Sequence, residues 1–592
     1  MSSIYGSTIT YSYEVVMRKL QQLRFRGVHF SSLTNHNDDL KYASEAVYLT
    51  EEKLIVTFNG NIYNNQQLVD KYFSRSSDSF SDAELLGKLY TKKGKECIQE
   101  LNGDFAFVIY DEEKRQFFGA VDRLGIKPLF YHHEANGLEW CSQLLPLCIG
   151  NAFEIDGKAR QLYFALQYVP SPYSMVKQIR KLGPGEYFVF DVAGDSMNIT
   201  QYWDLYSNSF GFQPPKSYNE ALDACRCLIN EAVVMRIDDS KKQGVFLSGG
   251  IDSTTIAKYA VSHNNFEGFT VGYEESAFDE SDYAIKVSER YGIHINHLRC
   301  SSAEAVRIIQ GLQQYYDEPM GDYSAIPTSL LCEKAGQSVE IALGGDGGDE
   351  VFFGYPRYLR YAAREKVYKT PLPIRRFMAA VVRPMGKKRM ADSLLLNDVQ
   401  QLYLNRRPSN DAELFNAYDV QQSILQTKYL YQNKDIRRAF NDFDIKTLMC
   451  FAYNVKLGRA AERGGLDVRT PFLDYRLVEY SRLLPIDYCY NEDVGQKRLL
   501  KEILKDDFDR SFFERKKQGF DVPLCFWFRK GLKDYLCDTL NEQALTHLPD
   551  YDANSLINIR NRHIAGEENQ TTLLWLCVNY LEWYKLFQNC SK

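Results

Sequence analysis

The sequence lacks an excess of either charge. Against 77 Asp and Glu stand 71 Lys and Arg, a formal charge of −6 over 592 residues, which supplies no global drive toward nucleic acid or an anionic membrane. A small or locally charged substrate is the better expectation. Long apolar runs are also missing: the longest near the C-terminus, Leu573 to Phe587, is interrupted by Asn579, Glu582 and Lys585 and falls short of the roughly 20 apolar residues a membrane span requires. It reads as a buried amphipathic helix. No CxxC pair occurs, and thirteen cysteines form neither an even set nor a dense framework, so most are expected as free thiols in a reducing compartment, the cytoplasm. The opening MSSIYGSTIT has no charged region followed by an apolar one and does not read as a secretory signal. The absence of a fixed-period repeat argues against a solenoid or propeller.

What is present is ordinary globular composition, 45% hydrophobic and 25% charged, in a chain too long for one core; two or three domains are expected. Residues 1 to about 205 are β-rich. KLIVTF (53–58), FAFVIYD (105–111), RQFFGAVD (115–122) and EYFVFDV (186–192) are aromatic and β-branched runs broken by Gly, Asn and Asp, the pattern of stacked antiparallel sheets. Leu85, Leu86, Leu89 and Tyr90 recur at helical spacing after Ser81 and Asp82, which predicts a helix over 81–101 covering a sheet face. Between 204 and 218, DLYSNSFGFQPPKSY concentrates Ser, Asn, Gly and Pro without periodicity and marks a domain boundary, giving units 1–205 and 206–592. Beyond it, a helix (221–237), a strand (244–248), a Gly-rich turn, a helix (253–263) and a strand (266–273) form a βαβ pattern. That pattern predicts a parallel sheet with ligands at the carboxyl ends of its strands. The last third reads as helical.

The sharpest signal is Ser248-Gly249-Gly250-Ile251-Asp252-Ser253-Thr254, between that strand and that helix. Two glycines let the backbone approach an anion, three hydroxyls can donate to it, and the helix N-terminus adds partial positive charge. The spacing is neither a Walker loop nor a dinucleotide fingerprint. Asp252 would repel an anion unless a cation mediates, which implies Mg²⁺ between its carboxylate and phosphate oxygens. His294 and His297 alternate along a strand without a second ligand pair and are not read as metal ligands. Cys225 and Cys227, two apart on a helix, point to different faces, and the basic stretch from Arg364 to Arg389 reads as an exposed face.

SGGIDST resembles the pyrophosphate-binding loop of N-type ATP pyrophosphatases, and within that group the chain is similar to the asparagine synthetase family. Matching segments follow in order: FTVGY (269–273) with Phe278-Asp279-Glu280; Asp317-Glu318-Pro319 with Asp322, Ser324 and Pro327; LGGDGGDEVFFGYPRY (343–358); VRTPFLDYRLVEY (468–480); KRLLKEIL (497–504); and RKKQGFDVPLCFWF (515–528). FNGNIYN (58–64), SDAE (81–84), LNGDFAF (101–107) and DRLGIKPLFY (122–131) resemble the glutaminase half of class II glutamine amidotransferases. The resemblance implies an α/β chain in two parts. The first is an Ntn-hydrolase-like αββα sandwich, and the second an adenine-nucleotide α-hydrolase-like doubly wound parallel sheet with a helical C-terminal part.

It further implies that ATP activates a carboxylate as an acyl-AMP with release of pyrophosphate, and that an amine then attacks to form an amide. On that reading Leu247, Ser248, Gly249, Gly250, Asp252, Ser253 and Thr254, with Val271, Gly344 and Gly345, hold ATP, and Asp252 and Asp349 share Mg²⁺. Lys497 matches the family's catalytic lysine and would stabilise the pentacoordinate phosphate and then the tetrahedral carbon. Asp346, standing where Glu is the better-studied choice, would accept a proton from the attacking amine.

Two departures matter. Class II glutaminases need Cys directly after the initiator methionine, its thiol and the freed α-amino group serving as nucleophile and base; here the residue is Ser2. The glutamine-gripping arginine is also missing, since KYASEAVYLTEEK (41–53) contains none, and the NGE carboxylate has become Asn61, while Asn59, Gly60 and Asp82 persist. We read this as a degenerate glutaminase site rather than a single engineered replacement of Cys by Ser2. In the synthetase half, a KVDRASMA-like helix has become Lys456-Leu457-Gly458-Arg459-Ala460-Ala461-Glu462-Arg463, a pocket reshaped for something other than aspartate.

Two enzyme readings follow: an asparagine-synthetase-like ligase using ammonia, or a cyclase in the manner of β-lactam synthetase and lasso-peptide macrolactam cyclases, in which the substrate's own amine attacks. A catalytically dead scaffold is disfavoured because Asp252, Asp346, Asp349 and Lys497 all remain. The expected partners are a small-molecule or peptide carboxylate and a second copy of the chain, with a precursor peptide and protease if the protein is a cyclase; no nucleic acid or membrane partner is expected.

Overall fold

The computed structural model describes residues 3–24, 39–44, 46–73, 80–135, 137–275, 277–396, 435–514 and 522–590. Up to Gln201 the described strands form two antiparallel sheets. One orders Tyr42–Ala43, Tyr5–Ser7, Gly137–Cys141, Phe130–Glu134 and Arg180–Lys181; the other orders Ser196–Gln201, Glu186–Asp191, Gln116–Val121, Gly103–Asp111, Leu54–Ile62 and Ala46–Leu49. Their packing follows from side-chain alternation along Gly103–Asp111. Ala106, Val108 and Tyr110 point to the facing sheet, where they join Leu138 and Trp140, and Phe105, Phe107 and Ile109 point to the other side. There the helix Asp82–Lys93 covers them with Leu85, Leu86 and Leu89. Ser81 and Glu84 close that helix's N-terminus in a reciprocal capping box, and its predicted C-terminal turn is a 3-10 segment, Gly94–Glu100. On the far side of the first sheet the helix Tyr13–Arg24 buries Val16, Leu20 and Leu23. The result is an αββα sandwich.

The second part is built on five parallel strands in the order His294–Cys300, Glu267–Tyr273, Gln243–Phe246, Ile341–Leu343 and Asp467–Arg469. The first of these strands in sequence lies at the centre, the next two add outward on one side and the last two on the other, so the order of strand addition reverses between Gln243–Phe246 and Ile341–Leu343 while the strands stay parallel. Such a switch point opens a crevice at the carboxyl ends of the two strands. The remainder is helical and includes a π-helical stretch, Ile445–Tyr453. The C-terminal helix Thr571–Cys590 buries Leu573, Leu574, Trp575, Leu576, Tyr580 and Trp583; no helix among the described residues is long and apolar enough to cross a membrane. All thirteen cysteines are free, with Cys225 buried and Cys227 exposed.

Buried polar contacts join the antiparallel and parallel parts. Asp317 accepts from the amides of Leu144 and Leu145, and Glu318 pairs with Lys181 at 2.5 Å. Asp474 accepts from Asn102 at 3.1 Å and pairs with Arg236 at 3.2 Å and Arg476 at 2.9 Å. Burial alone would raise the Asp474 carboxyl, but the two guanidiniums and Asn102 hold it down to about 2. Its folded value therefore lies below the unfolded one, so its contribution to stability is complete above about pH 4 and is lost as pH falls through about 2. Asp474→Ala leaves Arg236 charged inside the protein and is expected to cost about 3–5 kcal/mol; urea unfolding at pH 7 measures it.

Candidate functional site

At the switch point the structure brings Asp252, Asp349 and Lys497 together. Leu247 continues the central strand, its amide donating to the Phe269 carbonyl at 2.9 Å, and Val271 is buried in the neighbouring strand Glu267–Tyr273. The chain then turns at Gly249 with φ +64°, where a Cβ would lie 2.4 Å from Tyr283 Cβ, so only glycine fits. Gly250 starts the helix Ile251–Val261 with no side chain capping its N-terminus, which leaves the first-turn amides to meet an anion. Ser248 is exposed, while Ser253 and Thr254 are buried. The hydroxyls differ from expectation in direction: those of Ser253 and Thr254 donate back to the Gly250 carbonyl, at 3.2 and 2.7 Å, and Ser248 Oγ accepts from the Gly250 amide at 3.2 Å. They brace the loop in this conformation rather than point out of it.

Across the crevice, Ile341–Leu343 leads through Gly344 and Gly345 to the short helix Gly348–Val351. A Cβ on Gly348 would come within 2.5 Å of the Asp252 carboxyl carbon, so glycine lets the two loops close on each other. Lys497 sits between them, its ammonium contacting Asp252 Oδ2 and lying 2.6 Å from Asp349 Oδ1. In the sequence Lys497 opens a run with Arg498, Lys501 and Lys505, and only the family resemblance marks it as catalytic. In the structure it is 5% exposed and holds a left-handed backbone, φ +57°, at the start of the helix Arg498–Leu504. A non-glycine residue held there is strain of the kind stored at functional sites. Burial works against its charge, but Asp252 and Asp349 together raise its pKa above the ordinary lysine value. Gly354, which sequence reasoning passed over, makes this possible: a Cβ there would lie 2.3 Å from Lys497 Cε.

Asp346 is half-buried on the same loop. Burial raises its carboxyl above the ordinary range, Lys456 opposes that, and Asp349 and Asp322 add to it. Lys456 is buried and donates to Asp322 Oδ2 at 3.1 Å and Ser324 Oγ at 2.9 Å. Sequence matching places Asp322 and Ser324 in one segment and Lys456 in another; the fold makes them one network. Glu350, another residue not singled out, is buried beside Asp349, accepts from Tyr355 at 2.8 Å and is pushed up to about 7 by burial and by Asp349.

In the antiparallel part, Asn59 Nδ2 is buried with no hydrogen-bond partner among the described residues, and Gly60 holds φ +130° against the Asp104 carbonyl. Asp82 accepts from the Ile62 amide at 2.8 Å and from Asn65 at 2.6 Å. Asn61 donates to Asp467 at 3.3 Å, across to the parallel sheet. Ser2 lies outside the described residues. His294 and His297 lie on an edge strand, and no group of three or more potential metal ligands of the His, Cys, Asp and Glu types occurs among the described residues.

Comparison with known proteins gives this arrangement a family. Residues 224–585 match the family described as asparagine synthase, and residues 1–203 match the glutamine amidotransferase domain family. A Mycobacterium bovis protein carrying the provisional name of a glutamine-hydrolysing asparagine synthetase is 28% identical over 90% of this chain and 85% of its own. Glutamine-hydrolysing asparagine synthetase 1 of Bacillus subtilis is 26% identical over 95% of this chain and 89% of its own. The chain belongs to the asparagine synthase family and is a carbon–nitrogen ligase of the asparagine synthetase type with an amidotransferase-like N-terminal domain.

Proposed function

We propose that the protein activates a carboxylate with ATP as an acyl-AMP, releasing pyrophosphate, and joins it to an amine or ammonia, with residues 206–592 carrying that chemistry and residues 1–205 forming the amidotransferase-like unit. The observation that carries this reading is Lys497 buried between Asp252 and Asp349 at the switch-point crevice. The donor set also fits Mg²⁺. Two carboxylates brought together against one ammonium leave an excess negative charge with hard oxygen donors, and the cation would neutralise phosphate charge when bound.

The chain's own residues supply the rest. The loop 248–254 offers the helix N-terminus to the departing pyrophosphate. Lys497 places a charge where negative charge develops at the reacting phosphorus and then at the acyl carbon, in a water-poor setting where such a charge counts most. Asp346, across from Lys456, takes the proton released when the amine attacks. ATP and Mg²⁺ with a panel of carboxylates and amines test the reading: pyrophosphate and AMP should form together with an amide, and no release with any pair would leave a scaffold.

A second reading, in which the amine belongs to the substrate itself, as in a macrolactam or β-lactam cyclase, is favoured by the antiparallel part. Asn61 is engaged with Asp467, and Asp82 with Ile62 and Asn65.

Lys456 gives a prediction with a sign. Its positive charge lowers the Asp346 pKa, so Lys456→Gln should raise that pKa further and keep the base protonated to higher pH. The acid limb of the pH–rate profile is then expected to move to higher pH, with Lys456→Arg restoring part of the shift. An unmoved limb would mean that Lys456 only packs.

A further inference from the structure

The segment from Asp317 to Ser324 runs from the antiparallel unit to the network beside Asp346. It begins at the end of the helix Ser302–Tyr316, where Asp317 is fully buried in a left-handed conformation, φ +68°, and accepts from the Leu144 and Leu145 amides. Glu318 accepts from the Met175 amide at 2.9 Å and pairs with Lys181. The Gly321 amide then donates to the Gln167 carbonyl at 2.8 Å, and a Cβ on Gly321 would lie 2.5 Å from Gln167 Cβ. The very next residue is Asp322, which with Ser324 receives the Lys456 ammonium.

The lysine's own helix, Asn454–Gly464, is held by the same unit on either side of Lys456. Asn454 donates to the Leu124 carbonyl at 3.1 Å, and Arg459 to the Ser142 carbonyl at 3.1 Å. Tyr316, next to Asp317, closes the ring by donating to the Lys456 carbonyl at 3.0 Å. Both halves of the Asp322–Lys456 pair are therefore seated on residues 1–203.

We infer that the amidotransferase-like unit is a positioning scaffold for the amide-forming step, setting where Asp322 and Lys456 stand against Asp346. The inference rests on the ligase reading above and gives the unit a task that needs no glutamine hydrolysis. In that step the amine nitrogen bonds to the acyl carbon, AMP leaves with the electron pair of the broken C–O bond, and the proton of the attacking nitrogen passes to Asp346. Formation of the acyl-AMP transfers no such proton. Loosening the seat should therefore slow amide formation and spare adenylation.

The two half-reactions are read separately in the full chain. Carboxylate-dependent exchange of labelled pyrophosphate into ATP reports the first and amide formation the second, with ammonium and the panel carboxylate giving the fastest pyrophosphate release as probes. Gly321 holds a backbone open to other residues, so Gly321→Ala acts as a wedge against Gln167. It should lower amide formation about tenfold or more and leave exchange within about twofold of the parent's, since a misplacement of roughly 1 Å can cost about 10²-fold. Gln167→Gly suits the left-handed φ of +74° there, removes the atom the new methyl meets, and should restore part of the rate. Lys181→Met with Glu318→Gln opens the clasp without stranding a charge and should show the same split. In a Lys456→Gln background Gly321→Ala should cost little more, because both act through one network.

Thermal melting checks that each variant is folded; should Gly321→Ala not fold, the charge-pair variant carries the test alone. Equal loss of both half-reactions, undiminished amide formation in the folded variants, or fully additive losses with Lys456→Gln overturns the inference. A parent with no exchange for any carboxylate overturns the ligase reading, and the inference with it.

Discussion

Lys497→Met should lower pyrophosphate release by about 10²–10³-fold or more, the cost of removing a preorganised charge from a reacting centre. The variant also exposes what the lysine does at rest. Its ammonium is the positive charge between Asp252 and Asp349, and without it two half-buried carboxylates are left close together. They are then expected to bind Mg²⁺ more tightly in the absence of nucleotide than the parent does, so Mg²⁺ should raise the melting temperature of the variant more than that of the parent. That second readout separates loss of chemistry from loss of folding: an inactive protein with no enhanced response to Mg²⁺ would remove Lys497 from the site. Lys497→Arg keeps the charge but not the compact ammonium, and the close approach at Gly354 leaves little room for a planar fork; a strong loss is expected there too.

Glutamine should support no amide formation beyond that seen with its omission, and glutamate should not appear above the enzyme-free rate, whereas a free amine or ammonium should sustain turnover. Three features of the chain lead to this result. A serine hydroxyl at position 2 is a far weaker nucleophile than a thiolate at neutral pH. Residues 41–53 contain no arginine to hold the α-carboxylate of glutamine. Asn61 is spent on Asp467. Because the losses are several, Ser2→Cys alone should not restore hydrolysis. Glutamate formed in step with pyrophosphate by the unaltered chain would overturn the degenerate-glutaminase reading, and glutamate formed by Ser2→Cys would narrow the defect to one atom.

Local chemistry was the legible part. The helix start at Ser81 and Asp82, the strand through 105–111 and the glycine-rich strand-to-helix turn at 248–250 are each decided by neighbours within a few residues and stand where the sequence puts them, although the helix expected over 81–101 ends at Lys93 and gives way to the 3-10 segment Gly94–Glu100. The antiparallel and parallel sheets followed from the same periodicities. Long-range assembly was not legible. Nothing local announces that Lys497, 245 positions from Asp252, abandons solvent for a left-handed, buried conformation, nor that Lys456, Asp322 and Ser324 meet beside Asp346. Asp317 and Glu318 matched the family as a motif, but their observed work is to bind the Leu144–Leu145 amides and Lys181, a packing role that no motif reveals. The basic stretch from Arg364 to Arg389 reads as an exposed face, yet Arg375 within it is buried and donates to the Leu394 and Leu396 carbonyls, a contact that no local pattern announces.

Activation of the carboxylate requires that ATP be cleaved between its α- and β-phosphates, at the crevice between the 248–254 and 343–349 loops. The most direct test uses a carboxylate labelled with ¹⁸O and follows the products of Mg-ATP turnover by ³¹P NMR. AMP and pyrophosphate should form in equal amounts, with one labelled oxygen transferred to AMP and none to pyrophosphate, and neither product should form with Asp252→Asn. ADP and inorganic phosphate as products, with the label in phosphate, would contradict it.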